Sequence, residues 1–156
     1  MQGNPPIGSA FLLAQLGAHA TRRFTERIAE LDLTPPQTGL LRAIAQHPGE
    51  SQQTLAELLG TPPTRLVALV DGLDRRGLIE RRRNPNDRRL YQVFLTDDGK
   101  DLLRSLAEVG LAHESELTAP LSTEERTVLH GLLTRIAAEH DLAPGVHPGY
   151  RDLGRA

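Results

Sequence analysis

The chain has 156 residues, a net charge of −2, and 38% hydrophobic but only 3% aromatic residues, which predicts one domain or two small ones with an aliphatic, helix-rich core. The absence of cysteine excludes disulfides, thiolate nucleophiles, thiol redox sensing and cysteine-based zinc sites. The N-terminus MQGNPPIGSAF lacks the regions of a signal peptide, and no apolar run reaches the ~18 residues that span a bilayer, so we expect a cytoplasmic protein.

Helical periodicity begins near the N-terminus. Between residues 10 and 31, apolar residues recur at spacings of three and four, which predicts an amphipathic helix. Its apolar positions are Leu13, Leu16, Ala20, Phe24, Ile28 and Leu31. Thr34, Pro35 and Gln37 then have the arrangement of a capping box with proline at the first helical position. A second helix is therefore predicted to run to about Gln46 and to stop at HPG, residues 47–49.

Two short helices are predicted next. Ser51 is expected to cap a third helix that ends at Gly60, and a fourth begins at TPP, residues 61–63, and ends at Gly77. The apolar positions of the third helix are Leu55, Leu58 and Leu59, and those of the fourth are Leu66, Leu69, Val70 and Leu73. The stripe on the fourth helix leaves a free face composed of Thr64, Arg65, Ala68 and Gly72, with Val67 at its edge.

Beyond Gly77 the pattern changes to that of a β-hairpin. Residues 78–83 and 90–95 read as strands joined by a turn at NPND, residues 84–87. Seven arginines lie between residues 75 and 89 against Glu80 and Asp87, a local balance of 7 − 2 = +5. Such a run is often only a solvated surface, so its meaning depends on the elements around it.

Two longer helices follow the hairpin. Thr96 is expected to cap the first of them, with Asp97 and Asp98 in its first turn, and Pro120 ends it. Its apolar stripe is Leu102, Leu106, Val109, His113 and Leu117. The capping box STEE, residues 122–125, begins the last helix, whose positions Leu129, Leu132, Leu133 and Ile136 are predicted to point inward. Residues 141–156 are rich in proline and glycine and predict a loose tail.

This order of elements predicts a mainly α fold with a small β-hairpin wing, a winged helix-turn-helix. A helix fits the major groove of DNA, and a cationic hairpin beside it reaches phosphates or the adjacent minor groove. The amphipathic terminal helices are longer than one small winged domain needs, so they predict a partner surface. We therefore expect dimerisation helices at residues 9–33 and 97–140, a DNA-binding domain at residues 34–96 and a tail at residues 141–156.

Residues 51–99 resemble the MarR family of bacterial transcriptional regulators. The most specific parts are LVDGLDRRGLIER at residues 69–81 and, within residues 87–99, DRR together with VFLTDDG. The helices on either side also match, so the resemblance covers residues 9–140. It implies a ligand-responsive repressor without a cofactor, a homodimer with interlaced terminal helices that binds a pseudo-palindromic operator in double-stranded DNA.

The resemblance also implies roles for individual residues. Arg89 is expected at the minor groove, held there by an ion pair with Asp87, and Arg88 is the alternative at the wing tip. Family members often carry arginine where this chain has Ala68 and Gly72, so base contacts fall to Thr64 and Arg65, with more specificity taken from DNA shape. The phosphate-binding candidates are Ser51, Gln52, Gln53 and Arg75, and Thr61, Pro63 and Ala68 complete the predicted surface.

The resemblance further implies a small lipophilic or phenolic effector between the dimer helices and the winged domain. The candidate residues are His19, Arg22 with its neighbour Arg23, and Arg42, although a charge on an amphipathic helix is usually solvated. For His113, which interrupts an apolar stripe, an interface role is the simpler interpretation.

Catalytic and metal-binding motifs are absent from the sequence. There is no glycine-rich phosphate loop, G-x-S-x-G or H-E-x-x-H, and Glu139, His140 and Asp141 are adjacent on a helix and point apart. The sequence thus predicts neither an enzyme nor a metal site. The alternatives to a specific regulator are a non-specific architectural DNA-binding protein and a winged-helix module that binds protein.

Overall fold

Six helices and one hairpin form the described part of the chain, residues 6–148 of a computed structural model. In chain order they are α1 Ser9–Ala29, α2 Pro35–Gln46, α3 Gln52–Leu59, α4 Pro63–Arg75, β1 Ile79–Arg83, β2 Tyr91–Leu95, α5 Asp97–Leu117 and α6 Thr123–Glu139. The predicted fold class, a mainly α chain with a hairpin wing, is confirmed.

The helices begin at the predicted caps. The Thr34 amide donates to the Gln37 side chain at 2.9 Å, and the hydroxyls of Ser51 and Thr96 each accept from the backbone amide three residues later, both at 3.1 Å. Ser122 and Glu125 form the reciprocal box at the start of α6. Each cap satisfies amides that have no partner inside the helix, which explains why these four boundaries were readable from sequence.

The hydrophobic core lies inside the winged unit, residues 34–96. It is composed of Leu40, Leu41 and Ile44 of α2, Leu55 and Leu59 of α3, Leu66, Val70 and Leu73 of α4, and Ile79 and Val93 of the hairpin, joined by Ile28 and Leu106 from the longer helices. The predicted stripe of α4 is confirmed, with Leu69 packed at the margin. Leu58 differs from the prediction because it is 40% exposed, on the side of α3 that lines a groove with residues 143–146.

The hairpin is fixed to the helices at two points. Its antiparallel register runs from Ile79 opposite Leu95 to Arg83 opposite Tyr91. Val93 exchanges backbone hydrogen bonds of 3.0 Å with Gly49 and Glu50, which holds the start of α3 beside the wing. At the other end, a Cβ on Gly99 would lie 2.0 Å from the carbonyl oxygen of Leu78, so only glycine allows the first turn of α5 to pack there.

The last helix does not point inward as predicted. Leu129, Leu132, Leu133 and Ile136 are between 36% and 49% exposed, and α6 has no buried residue. The N-terminal half of α1 is similar, with Phe11, Leu12, Leu13 and Leu16 all exposed. The amphipathic pattern is real in both helices, but the described chain offers no opposing apolar face to cover it.

The segment after α6 lies against the rest of the chain as far as residue 148. The His147 ring nitrogen Nε2 is 3.4 Å from the Thr21 hydroxyl, and residues 143–146 line a groove with Arg42 and Leu58. The remainder of the predicted loose tail, residues 149–156, is outside the described residues.

Candidate nucleic-acid interface

The face of α4 opposite its buried stripe is the central part of the interface. Positions 64, 68, 71 and 75 follow one another at spacings of four, three and four, so they share one side of the helix. Thr64, Ala68 and Arg75 are exposed there, and Asp71 is half-exposed. This side is largely exposed and includes the small residue Ala68, which suits a helix that enters the major groove.

The flanks of α4 differ from the prediction. Arg65 and Gly72 are half-buried on the side that turns towards α2, where the Gln37 side chain lies 3.9 Å from the position of a Cβ on Gly72. Val67, predicted at the edge, is 40% exposed on the opposite flank. The apolar stripe determined which side is buried, but the contact with α2 determined which flank stays free.

Thr61, which was predicted in the DNA-binding surface, is buried. It is only 8% exposed, its hydroxyl donates to the Leu59 carbonyl oxygen at 3.5 Å, and its amide donates to Ala56 at 2.9 Å. The residue therefore closes the turn between α3 and α4, and it lines a groove together with Pro63 and Val67. The neighbouring Pro63 is exposed, as predicted for the surface.

The N-terminus of α3 lies on the same side as the wing. Ser51 caps it, Gln52 is half-buried, and Gln53 is exposed with its amide 3.3 Å from the Glu57 carboxylate. The first amides of a helix point outward without internal partners, and they carry the positive end of the helix dipole. The geometry is therefore suitable for a phosphate group.

The wing tip contains the predicted ion pair. The Arg89 side chain contacts both carboxylate oxygens of Asp87, at 3.2 and 3.3 Å, and the Arg89 amide adds a third bond at 3.1 Å. The side-chain bonds and then the backbone bond lower the pKa of Asp87, which keeps the carboxylate charged at neutral pH. Arg89 is nevertheless 90% exposed, so the acid orients a guanidinium that remains available to DNA.

Several of the other arginines are already engaged. Arg76 donates to the carbonyl oxygens of Asp32 and Leu31, at 2.6 and 3.3 Å, and Arg81 pairs with Asp71 and Asp74 of α4. Arg82 pairs with Glu80 and lies 4.4 Å from the centre of the Phe94 ring, while Arg83 lies over Tyr91 and donates to the Arg88 carbonyl oxygen. The local balance of +5 therefore overstates the free charge.

Two arginines of this cluster are unengaged. Within residues 6–148, the side chains of Arg75 and Arg88 make no hydrogen bond or ion pair. Together with Arg89 they place exposed cations on α4 and at the wing tip. Sequence reasoning missed the role of Arg81, although strand alternation would have placed it on the same face as the buried Ile79.

Of the effector candidates, His19 and Arg23 line the same cavity, but Arg22 and Arg42 do not join them there. His19 lines a cavity of about 280 Å³ between α1 and α5, whereas Arg42 lines a separate one of about 240 Å³ beside residues 143–146. Arg22 is exposed, with its guanidinium 3.9 Å from Glu26. Arg22 follows His19 by three residues on α1 but does not line that cavity, and Arg42 belongs to α2.

His113 lies in the contact between α1 and α5. Its ring centre is 5.6 Å from that of Phe24, and the residue is half-buried. Burial, and next the nearby Arg27, lower the pKa of His113 below its ordinary value. The neutral imidazole is therefore the form that this contact favours.

A larger crevice, which no sequence pattern indicated, lies between the winged unit and α5. It has a volume of about 760 Å³, within the range of small-molecule sites. Its wall is formed by apolar residues from α2, β2 and α5, with three cations at the margin: Ile44, Ala45, Pro48, Phe94, Leu95, Leu103 and Ala107, with Arg82, Lys100 and Arg104. The acids that pair with those cations do not line it.

Residues 6–148 contain neither a metal site nor a membrane-spanning helix. No group of three or more His, Asp or Glu side chains is placed to hold a metal ion. No helix in this range is long and apolar enough to cross a membrane.

Comparison with known proteins agrees with this geometry. A sequence model of the MarR family matches residues 31–90. A putative transcriptional regulatory protein for the hcr operon of Thauera aromatica is 32% identical over 141 residues, which cover 85% of each chain. Wild-type apo MarR from E. coli superposes with a TM-score of 0.75 at 28% identity, covering 85% of this chain and 98% of that one. The transcriptional repressor CouR, bound to a 23-mer DNA duplex, gives 0.73 at 32% identity, covering 83% and 92%.

Proposed function

The chain belongs to the MarR family of transcriptional regulators, and from that premise we propose that it is a repressor that binds a pseudo-palindromic operator as a homodimer and is released by a small amphipathic anion. Family membership itself makes the chain a regulator and not an enzyme, which confirms that prediction. The operator, the dimer and the effector are the finer parts of the proposal.

Operator binding rests on one observation, the placement of exposed cations at the end of the free face of α4 and at the wing tip. Thr64 and Ala68 on α4 enter the major groove, Arg75 contacts a flanking phosphate, and Arg88 and Arg89 at the wing tip lie against the next minor groove. The amides of Ser51, Gln52 and Gln53 bind a second phosphate. The resemblance to CouR, which was solved on a DNA duplex, supports this assignment.

The homodimer is supported by the uncovered faces of α1 and α6. Residues 9–33 and 97–140 form the dimerisation unit, and residues 34–96 form the DNA-binding unit. Exposed apolar faces of this extent are normally closed by a partner, and a second copy closes them with two-fold symmetry. Light scattering is then expected to give twice 17.1 kDa; a stable mass of one chain would contradict the dimer.

Selection of DNA from a random duplex pool tests the operator. The enriched sequences should contain two inverted half-sites about one helical turn apart, bound at least ~10³-fold more tightly than bulk DNA. An architectural protein would enrich no common sequence, and a protein-binding module would retain no DNA. Either result would overturn the proposed function.

The effector part of the proposal rests on the crevice between the winged unit and α5. An apolar wall with Arg82, Lys100 and Arg104 at its margin is complementary to a molecule with an apolar body and an anionic head. Arg82 belongs to β1, so a ligand that draws its guanidinium away from Phe94 acts directly on the wing. This assignment replaces His19, Arg22 and Arg42 as the candidate effector residues.

Operator release by 2-naphthoate, with 2-naphthamide as the uncharged control, tests the crevice. We expect the carboxylate to lower operator affinity and the amide to have a weaker effect. Arg104→Gln should raise the concentration of naphthoate required, whereas Arg22→Gln on α1 should not. If Arg22→Gln has the larger effect, or if both probes act equally, the crevice is not the effector site.

A further inference from the structure

Two acids lie on the helix that faces DNA in the proposed function. Asp71 is on the outward side of α4 with Thr64, Ala68 and Arg75, and Asp74 follows one turn later. Their side chains are 42% and 45% exposed. Carboxylates at this position oppose the approach of the phosphate backbone, because both are negatively charged. At physiological ionic strength this repulsion extends over a Debye length of ~8 Å.

Arg81 meets both acids. It extends from β1, its side chain is only 26% exposed, and its guanidinium pairs with Asp71 through one terminal nitrogen and lies 3.7 Å from Asp74 through Nε. The Nε atom is buried and has no hydrogen bond within residues 6–148. The guanidinium is therefore directed towards α4 and away from the surface that the wing tip offers.

The neighbouring arginines behave differently. Arg83, two residues further along β1, lies over Tyr91 and bonds the Arg88 carbonyl oxygen, and Arg82 lies over Phe94. Neither contacts an acid of α4. Arg81 alone of the three strand arginines connects the wing to α4 within the described residues, by an ion pair partly removed from water.

We propose that Arg81 is a positioning residue that neutralises Asp71 and Asp74 on the reading helix and fastens the wing to that helix, without contacting DNA itself. The inference rests on the proposed function, since it assumes that α4 faces DNA. The local charge of the three residues is 1 − 2 = −1 when Arg81 is present and −2 when it is replaced by glutamine. Loss of Arg81 therefore leaves two carboxylates without a neutralising partner near the phosphates, and it removes the ion pair between the wing and α4.

A set of substitutions that remove one or more of these charges tests the neutralising role. Arg81→Gln should weaken binding to both operator and random duplex, by about tenfold per subunit at low salt. The triple variant Arg81→Gln, Asp71→Asn, Asp74→Asn should return to within roughly threefold of the wild type, because it removes the acids that Arg81 masked. Asp71→Asn with Asp74→Asn in the presence of Arg81 should bind as tightly as the wild type or more tightly.

Each other outcome overturns the proposal. If the triple variant stays as weak as Arg81→Gln, Arg81 contacts phosphate directly. If the double asparagine variant loses operator affinity but keeps affinity for random DNA, an aspartate reads a base, as carboxylates do with cytosine. A wild-type chain that binds neither DNA would refute the proposed function itself, which separates that failure from one confined to the variants.

Amide hydrogen exchange on the free protein tests the fastening role without DNA. In Arg81→Gln the β1 and β2 amides should exchange faster relative to those of α2, and Arg83→Gln is the matched control that leaves the link to α4 intact. Equal exchange of the hairpin amides in wild type and Arg81→Gln would show that the wing is held by its other contacts and not by Arg81.

Discussion

The winged unit and the terminal helices have the same amphipathic periodicity, but their apolar faces differ in burial. In residues 34–96 the apolar stripes of α2, α3 and α4 meet one another and form a closed core. In α6 an equally regular series of aliphatic residues has no buried member. The comparison teaches that an amphipathic pattern predicts a covered face but not which chain covers it.

Charged substitutions on the exposed apolar face of α6 should have the largest effect. Replacing Leu132 and Ile136 by aspartate should abolish the homodimer and weaken operator binding by at least ~100-fold, because two linked half-sites bind far more tightly than one. The winged unit should keep its structure, since it does not depend on α6. Light scattering and fluorescence anisotropy provide the measurements.

Thr134→Asp is the matched control for those substitutions. Thr134 is exposed and lies two residues from Leu132 and from Ile136, on the other side of α6. It should leave both the mass and the operator affinity unchanged. Loss of the dimer in this variant, or its survival in the double aspartate variant, would show that another surface joins the subunits.

Substitutions in the closed core of the winged unit should instead lower the free energy of unfolding. Leu41→Ala removes a fully buried side chain from α2 and should lower the free energy of unfolding by about 2–5 kcal/mol. Leu58→Ala, at a position that is 40% exposed, should cost much less. Urea denaturation at a fixed protein concentration compares the two; similar losses would contradict the division between closed and open surfaces.

At the wing, the positive charge of Arg89 and its ion pair with Asp87 can be tested separately. Arg89→Ala should weaken operator binding and lower the salt slope by about one unit per subunit, since each neutralised phosphate contributes ~0.9. Asp87→Ala should also weaken binding, although it removes a negative charge, because Arg89 loses the carboxylate that orients it. Anisotropy at several salt concentrations checks both, with Arg88→Ala as a variant that removes charge without disturbing the pair.

Tighter binding by Asp87→Ala would mean that the wing acts through net charge alone.

The lowered pKa of Asp87 predicts how its ion pair with Arg89 depends on pH. A carboxyl group whose pKa is lower in the folded state stabilises the pair above its ordinary pKa of 3.8 and loses that contribution as pH falls through the lowered value. Between pH 8 and pH 5, the orientation of Arg89 should therefore not change.

The smallest expected effect lies within the terminal helices, at His113 between α1 and α5. Its pKa is lower in the folded state than the ordinary 6.5, so its contribution to stability is complete above that pH and is lost as pH falls below it. His113→Gln should flatten the decline of the melting temperature between pH 7 and pH 5. His47→Gln, at an exposed position, should not; equal slopes in wild type and His113→Gln would exclude this role.

Much of the fold was predictable because its signals are local. The caps at Thr34, Ser51, Thr96 and Ser122 use hydrogen bonds between residues three apart, and Gly60 ends α3 with a φ of +58° that glycine adopts without strain. The wing pair of Asp87 and Arg89 is equally local. Interactions of this range depend on a few neighbouring residues, so the sequence contains all the information they need.

Contacts between distant elements decided the rest. Arg65 and Gly72 are half-buried on the side of α4 next to Gln37 of α2, whereas Val67 stays exposed. Arg81 pairs with Asp71 of α4 and therefore does not point to the wing surface. His19 and Arg23 line one cavity and Arg42 lines another, while a crevice of about 760 Å³ lies instead between the winged unit and α5. By itself the sequence determined the elements, their order and their apolar faces, because those depend on periodicity and local hydrogen bonds. Only the tertiary structure decided which charges are free and which apolar faces stay open, because burial depends on what packs opposite each residue.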